Sequence, residues 1–168
     1  MVKQQLQKKQ SPNMEDYLEA IAILRGEEKV VRVSQIGRRL NVKMPSVTSA
    51  LNKLSESGLA VHERYGYVSL TPQGDKLAKE VIRRHKALTR FFAEALDVDP
   101  KIAEEDACKI EHVISPLSME RLTKFLQFIE VCPLGETKFP KRYKYYLEHG
   151  ELPGECLARG SKEEEQRG

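Results

Sequence analysis

PSVTSALNKLSESGLAVHERYGYVSLTP, residues 45–72, is the stretch that decides the fold. Pro45 suits the first position of a helix, where its missing N–H costs nothing. Val47, Ala50, Leu51 and Leu54 then recur at helical spacing, and Gly58 stops the helix after about Ser57. From Leu59 the period changes. Val61, Glu63 and Tyr65 alternate, Gly66 marks a turn, and Tyr67, Val68 and Leu70 form a second β run, which predicts a hairpin. Thr71-Pro72 caps the helix that follows.

Upstream, Ser11-Pro12-Asn13 opens a helix with Tyr17, Leu18, Ile21, Ala22 and Leu24 on one face, ended by Gly26. Val30 to Val33 is a short β-branched run. Ser34 is the expected cap of a second helix, Gln35 to Leu40, and Asn41-Val42-Lys43 is a turn. Three short helices followed by a hairpin predict a winged helix-turn-helix. A helix fits the major groove of DNA, and a hairpin reaches the flanking backbone. The third helix and its start present Lys43, Pro45, Ser46, Thr48, Ser49, Asn52 and Lys53 off its apolar face. Arg38 and Arg39 on the second helix, and Arg64 at the wing tip, flank it. Such residues also suit any solvated helix. The order of the elements and the charge balance favour DNA.

That balance is uneven along the 168 residues. Residues 1–90 carry 17 Lys/Arg against 9 Asp/Glu, a balance of +8, whereas residues 91–168 carry 11 against 16, a balance of −5. The basic half points to an anionic partner. No apolar run approaches the roughly 18 residues of a membrane span, and the charged opening MVKQQLQKKQ is read as a flexible arm, not a signal peptide. Three cysteines, Cys108, Cys132 and Cys156, make a disulfide framework unlikely and fit a reducing cytoplasm. GxGxxG, GxxxxGK[ST] and GxSxG are all absent, so nucleotide and hydrolase chemistry lack their usual footholds.

The acidic half is expected to be helical: about Pro72 to Leu96, a break at Asp97 to Pro100, about Lys101 to Ile114, then Met119 to Val131. Beyond it lies a Pro/Gly-rich tail with a Tyr143, Tyr145 and Tyr146 cluster, expected to pack on the helical domain. Cys108, Glu111 and His112 form Cys-x-x-Glu-His, and spacings of three and four put them on one helix face. Thiolate, carboxylate and imidazole together suit a divalent transition ion. The plain alternative is a buried cysteine beside a surface pair. Asp16 and Glu19 lie three apart on the first helix and by themselves read as solvated carboxylates. His85, within IRRHKAL, by itself reads as a surface or packed histidine.

MEDYLEAI, VTSALNKLSESGLA, the hairpin followed by LTPQGDKLA, IRRHKAL and EDACKIEHVIS occur in that order. This set resembles the iron- and manganese-dependent repressors of the diphtheria toxin repressor family over about residues 12–132. The resemblance implies a cytoplasmic homodimer that binds double-stranded operator DNA when loaded with Fe2+ or Mn2+. It implies no enzymatic activity, no membrane and no small-molecule substrate. By position it implies Asp16, Cys108, Glu111 and His112 as ligands, with Glu19 and His85 completing a paired site in the manganese branch. The chain is a hybrid. Cys108 is the iron-branch residue, whereas Asp16 and Glu19 are those of the manganese branch. Thr89 and Glu104 stand where the iron branch has the Glu and His of its ancillary site.

The expected architecture is therefore mainly α. It comprises a flexible arm (1–11), a winged helix-turn-helix domain (12–72), a helical metal-binding and dimerisation domain (73–132) and a partly disordered extension (133–168) too short for an SH3-like domain. Cys108 tips the metal slightly toward Fe2+, the carboxylates suit Mn2+, and Co2+, Ni2+ or Zn2+ can fill such a site in vitro. Two other readings remain at this point. One is a winged-helix regulator sensing a small organic ligand or a thiol oxidant through Cys108. The other is a metalloenzyme, for which no substrate cleft or acid–base motif is visible. Cys132, His149 and Cys156 match no common zinc module and read as incidental residues of the tail.

Overall fold

The computed structural model describes residues 13–27, 30–63, 66–131 and 139–154. The packing divides the chain into two units, residues 1–82 and 83–168. The order of elements in the first is α1 (Met14–Glu27), β1 (Val31–Arg32), α2 (Val33–Leu40), α3 (Met44–Glu56), β2 (Ala60–His62) and β3 (Tyr67–Leu70). Helix α4 (Pro72–Arg90) begins in this unit and runs into the next.

Helix α1 starts where its first amides find acceptors. The Asn13 side chain accepts from the N–H groups of Glu15 and Asp16 at 2.7 and 3.1 Å, and Asp16 Oδ2 accepts the Asn13 N–H at 2.6 Å. This reciprocal cap satisfies three donors that the helix itself leaves open. Tyr17, Leu18, Ile21 and Leu24 are buried against Ile36 of α2 and Val47, Leu51 and Leu54 of α3, in one cluster. Each such side chain contributes about 1.5–3 kcal/mol by leaving water. Gly26 does not end α1, which continues to Glu27.

The β-branched run after α1 is a strand of only two residues, yet it belongs to the wing. The sheet order is β1-β3-β2, antiparallel throughout, with Val31 opposite Val68 and His62 also opposite Val68 on the other side. Helix α2 begins two residues earlier than Gln35, and Ser34 is not its cap. Gln35 Oε1 takes the Arg32 N–H at 2.7 Å, so the longer amide side chain reaches the open donor from within the first turn. Asn41 closes α2 in the left-handed region at φ 52°, a conformation Asn tolerates better than most residues. Gly37 lets α2 approach α3, since a Cβ there would lie 3.3 Å from Val42 O and 3.4 Å from Val47 Cγ2.

The strand-to-helix junction is tight. Thr71 Oγ1 donates to Gly58 O at 2.7 Å and accepts the Gly74 N–H at 3.1 Å, capping α4 as its sequence predicts. Thr71 N–H also reaches Leu59 O at 3.0 Å. A Cβ at Gly74 would sit 1.9 Å from Leu59 O, so only glycine fits against this carbonyl.

The second unit holds the end of α4, a π-helical turn (Phe91–Ala95), α5 (Pro100–Ile110), α6 (Pro116–Val131) and α7 (Phe139–His149). The single long helix expected to Leu96 changes at Phe91, where Leu96 N–H bonds to Phe91 O. Asp99 caps α5 through the N–H groups of Lys101 and Ile102, with Pro100 at the first position. Helix α5 ends four residues earlier than Ile114, in a turn where the Val113 N–H bonds only three residues back, to Ile110 O. Helix α6 starts at Pro116, ahead of the expected Met119. Arg90 joins Glu94 and Glu130 at 2.7 and 2.5 Å, and Phe91 meets Phe125 edge-on at 6.0 Å.

Helix α7 occupies part of the segment read as a Pro/Gly-rich tail. Tyr145 and Tyr146 remain exposed at 40% and 47%, so these two do not pack on the helical unit as expected, while Tyr143 is half-buried. Arg64, the arm, Cys132, Cys156 and the disorder expected near the C-terminus lie outside the described residues.

Candidate DNA-reading surface and metal centre

Helix α3 buries Val47, Ala50, Leu51 and Leu54 and leaves Lys43, Pro45, Ser46, Thr48, Ser49, Asn52 and Lys53 exposed. Arg38 and Arg39 are exposed on α2, and Arg39 Nη1 lies 3.5 Å from Glu27. Nine of the ten residues predicted to face DNA thus lie on the solvent side of α2, α3 and the turn before α3, and the tenth is Arg64. Met44, 47% exposed at the start of α3, is an addition that sequence reasoning missed. It lies off the buried stripe of Val47, Ala50, Leu51 and Leu54, so the apolar period does not mark it. Thr48 Oγ1 donates to Met44 O at 3.1 Å.

In the second unit the titratable residues converge on Glu111. This carboxylate is 1% exposed and is the only buried charged residue among those described. Its Oε2 lies 2.8 Å from His85 Nδ1, and its Oε1 lies 3.2 Å from His112 Nε2. The second approach lacks hydrogen-bond geometry, which leaves Oε1 buried without a hydrogen bond. Cys108 Sγ and a Glu111 oxygen are within 4.8 Å of each other, and Cys108 is exposed. Glu111 and His112 follow α5 rather than belonging to it. The face argument survives for Cys108 and Glu111, because the Glu111 N–H still bonds to Ala107 O at 3.0 Å.

His85 has a second carboxylate partner. Its Nε2 lies 3.0 Å from Glu104 Oε1, while Glu104 Oε2 accepts from Thr89 Oγ1 at 3.3 Å. The hydrogen bond to Glu111, reinforced by the one to Glu104, outweighs burial and raises His85 from 6.5 to about 9. At neutral pH the metal-free chain therefore holds an imidazolium between two carboxylates. Glu104 is a residue that sequence reasoning left without a role. Its signal was its position four residues before Cys108, on the same helix face.

Asp16 and Glu19 belong to α1 of the first unit, three residues apart. Asp16 serves there as the reciprocal cap described above. The donors on the two units comprise carboxylates, imidazoles and one thiol, all ligands for a divalent transition ion. Glu111 supplies the physical fit. The His85 imidazolium serves one of its oxygens, and the other, Oε1, is buried with no hydrogen bond and is open to a cation.

Comparison with known proteins agrees. Residues 9–68 match the family described as "Iron dependent repressor, N-terminal DNA binding domain". Residues 71–140 match "Iron dependent repressor, metal binding and dimerisation domain". The chain belongs to the iron-dependent repressor family. An HTH-type transcriptional regulator of Methanocaldococcus jannaschii is 35% identical over 118 residues, 70% of this chain and 94% of that protein. The HTH-type transcriptional regulator MntR of Lysinibacillus sphaericus is 37% identical over 73% of this chain and 88% of its own length. Among solved structures, the manganese regulator SloR has a TM-score of 0.65 at 31% identity, and T. acidophilum IdeR one of 0.64 at 28%. They align over 74% and 70% of this chain, which spans only 58% and 55% of theirs. As a member of the iron-dependent repressor family, this protein is a metal-dependent, DNA-binding transcriptional regulator and not an enzyme. No finding favours thiol sensing through Cys108. None of the described helices is long and apolar enough to cross a membrane.

Proposed function

We propose that this repressor binds operator DNA as a homodimer when loaded with Fe2+ or Mn2+ and releases it when metal is scarce. The observation that carries the reading is Glu111, a buried carboxylate facing two imidazoles with one oxygen unsatisfied. One ion is assigned to Asp16, Cys108, Glu111 and His112, and a paired ion to Glu19 and His85 with Glu111 shared. Donor chemistry and the family resemblance support this assignment. Cys108 favours Fe2+ over Mn2+ because a thiolate is a soft ligand.

A bound divalent ion supplies concentrated positive charge and fixed coordination directions. The chain's own residues do the rest. Glu111 and His112 hold their places at the end of α5, and His85 holds its place on α4. Asp16 and Glu19 sit on α1, whose apolar face shares a core with α3. Holding those two carboxylates to the donors of the dimerisation module restricts where the reader helix can stand. Two reader helices must lie about 34 Å apart to enter successive major grooves, and restriction shifts a mobile ensemble toward that spacing. Lys43, Lys53, Arg38, Arg39 and Arg64 then neutralise phosphates, while Ser46, Thr48, Ser49 and Asn52 face base edges.

The test is binding to a duplex recovered by selection from random DNA. It is titrated with Fe2+ without oxygen and with Mn2+, each at buffered free concentration. The proposal expects no binding in chelator, recovery with either ion, and recovery with Fe2+ at the lower free concentration. Equal binding in chelator, or recovery on reductant alone, would overturn it.

A further inference from the structure

We infer that Glu104 is a positioning residue that makes Nδ1, rather than Nε2, the His85 nitrogen that takes a metal ion. The inference rests on the assignment of His85 as a ligand and adds the atom through which it acts.

His85 has a carboxylate on each ring nitrogen, and the two differ. Glu111, on the Nδ1 side, has a fully buried side chain, whereas Glu104, on the Nε2 side, is 62% exposed. Glu104 is itself held, since its other oxygen accepts the Thr89 hydroxyl. On the Nδ1 side an ion finds Glu111, the carboxylate that the proposed paired site shares, 2.8 Å from this nitrogen. On the Nε2 side the described donors are Glu104 and one hydroxyl. Burial places the ion at Nδ1, since Glu111 is held out of water there whereas Glu104 is solvated.

The proton balance follows. The imidazolium donates from both nitrogens in the metal-free chain. Ligation through Nδ1 releases that proton to solvent, and the Nε2–H stays hydrogen-bonded to Glu104. A carboxylate on the distal N–H fixes tautomer and ring orientation and raises the basicity of the ligating nitrogen. Thr89 and Glu104, which depart from the iron-branch pattern, thus form a relay that orients His85 from outside the ligand set.

The experiment uses the full chain, labelled with 15N-histidine and loaded with 113Cd2+. NMR reads the one-bond 113Cd splitting at each ring nitrogen. The expected result is splitting at His85 Nδ1 together with a slowly exchanging Nε2–H. Glu104→Ala should speed exchange of that proton and weaken Cd2+ binding about 10- to 100-fold. Glu104→Gln, whose amide oxygen still accepts, should keep the tautomer and fall between. Retained splitting at His112 shows that each variant is folded and loaded. Splitting at His85 Nε2, or unchanged exchange and affinity in Glu104→Ala, would overturn the role of Glu104 while leaving His85 a ligand. No splitting at either His85 nitrogen would overturn the ligand assignment and the inference together.

Discussion

Raising the pH of the metal-free protein should weaken its second unit through one histidine. His85 is held at about 9 by Glu111 and Glu104, against an ordinary value of 6.5. Because the folded value is the higher one, the stabilisation is fully present below pH 6.5 and disappears as pH rises through about 9. The full shift corresponds to about 3 kcal/mol. Glu104 is largely in water, so screening reduces the expected loss to about 2 kcal/mol. Urea denaturation in chelator between pH 6 and 10 measures this when His85→Gln is run in parallel, because other titrating groups cancel in the difference. The gap between the two proteins should shrink by about 2 kcal/mol between pH 6.5 and 9.5, with the His85 ring signal moving in NMR over the upper part of that range. A constant gap, or a ring midpoint below 7, would refute the two-carboxylate account. The same proton competes with metal. At pH 7 about one His85 in a hundred is neutral, so affinity at the His85 site should rise about tenfold per pH unit up to about 9.

Other perturbations test the remaining parts. Asp16→Ala and His112→Ala should stay folded by circular dichroism yet lose metal-stimulated DNA binding; a metal-dependent shift in either variant would count against the shared site. Glu19→Ala should lower the metal-to-protein ratio measured by native mass spectrometry, and an unchanged ratio would argue against a paired ion. Gly74→Ala forces a methyl into Leu59 O, and should cost about 1–3 kcal/mol in thermal or urea unfolding; a neutral result would mean the junction relaxes freely. Lys43→Ala and Lys53→Ala should each weaken binding across all DNA sequences and reduce the salt slope by about 1.

Much of this was legible from local chemistry. The change from a 3.6 to a 2.0 period after Gly58, the Thr71 cap and the break after the long helix at Asp97 to Asp99 all act over a few residues, and the structure contains them. Part of what escaped needs partners far along the chain, and part is a local competition. Val31–Arg32 is a strand because β3 pairs with it, some 35 residues away. Gln35 outcompetes Ser34 as the capping side chain because its longer amide reaches the open N–H of Arg32. Helix α7 was hidden by the Pro and Gly on either side of it, which punctuate a chain without excluding a helix between them. For the metal centre, Cys108, Glu111 and His112 stand out by spacing. The role of Glu104 is visible only once α4 and α5 bring His85 to it.

The hydrogen bond from Thr48 to Met44 O restricts what this hydroxyl can say to DNA. Its one proton is committed to the backbone, so it faces outward with lone pairs and a methyl group. A phosphate oxygen has only lone pairs to offer in return and is a poor match. The amino groups of adenine and cytosine, or a thymine methyl, are good ones. On the proposed reader surface Thr48 therefore suits sequence choice better than grip, and a Thr48→Val change should alter which operators are preferred more than how tightly DNA in general is held.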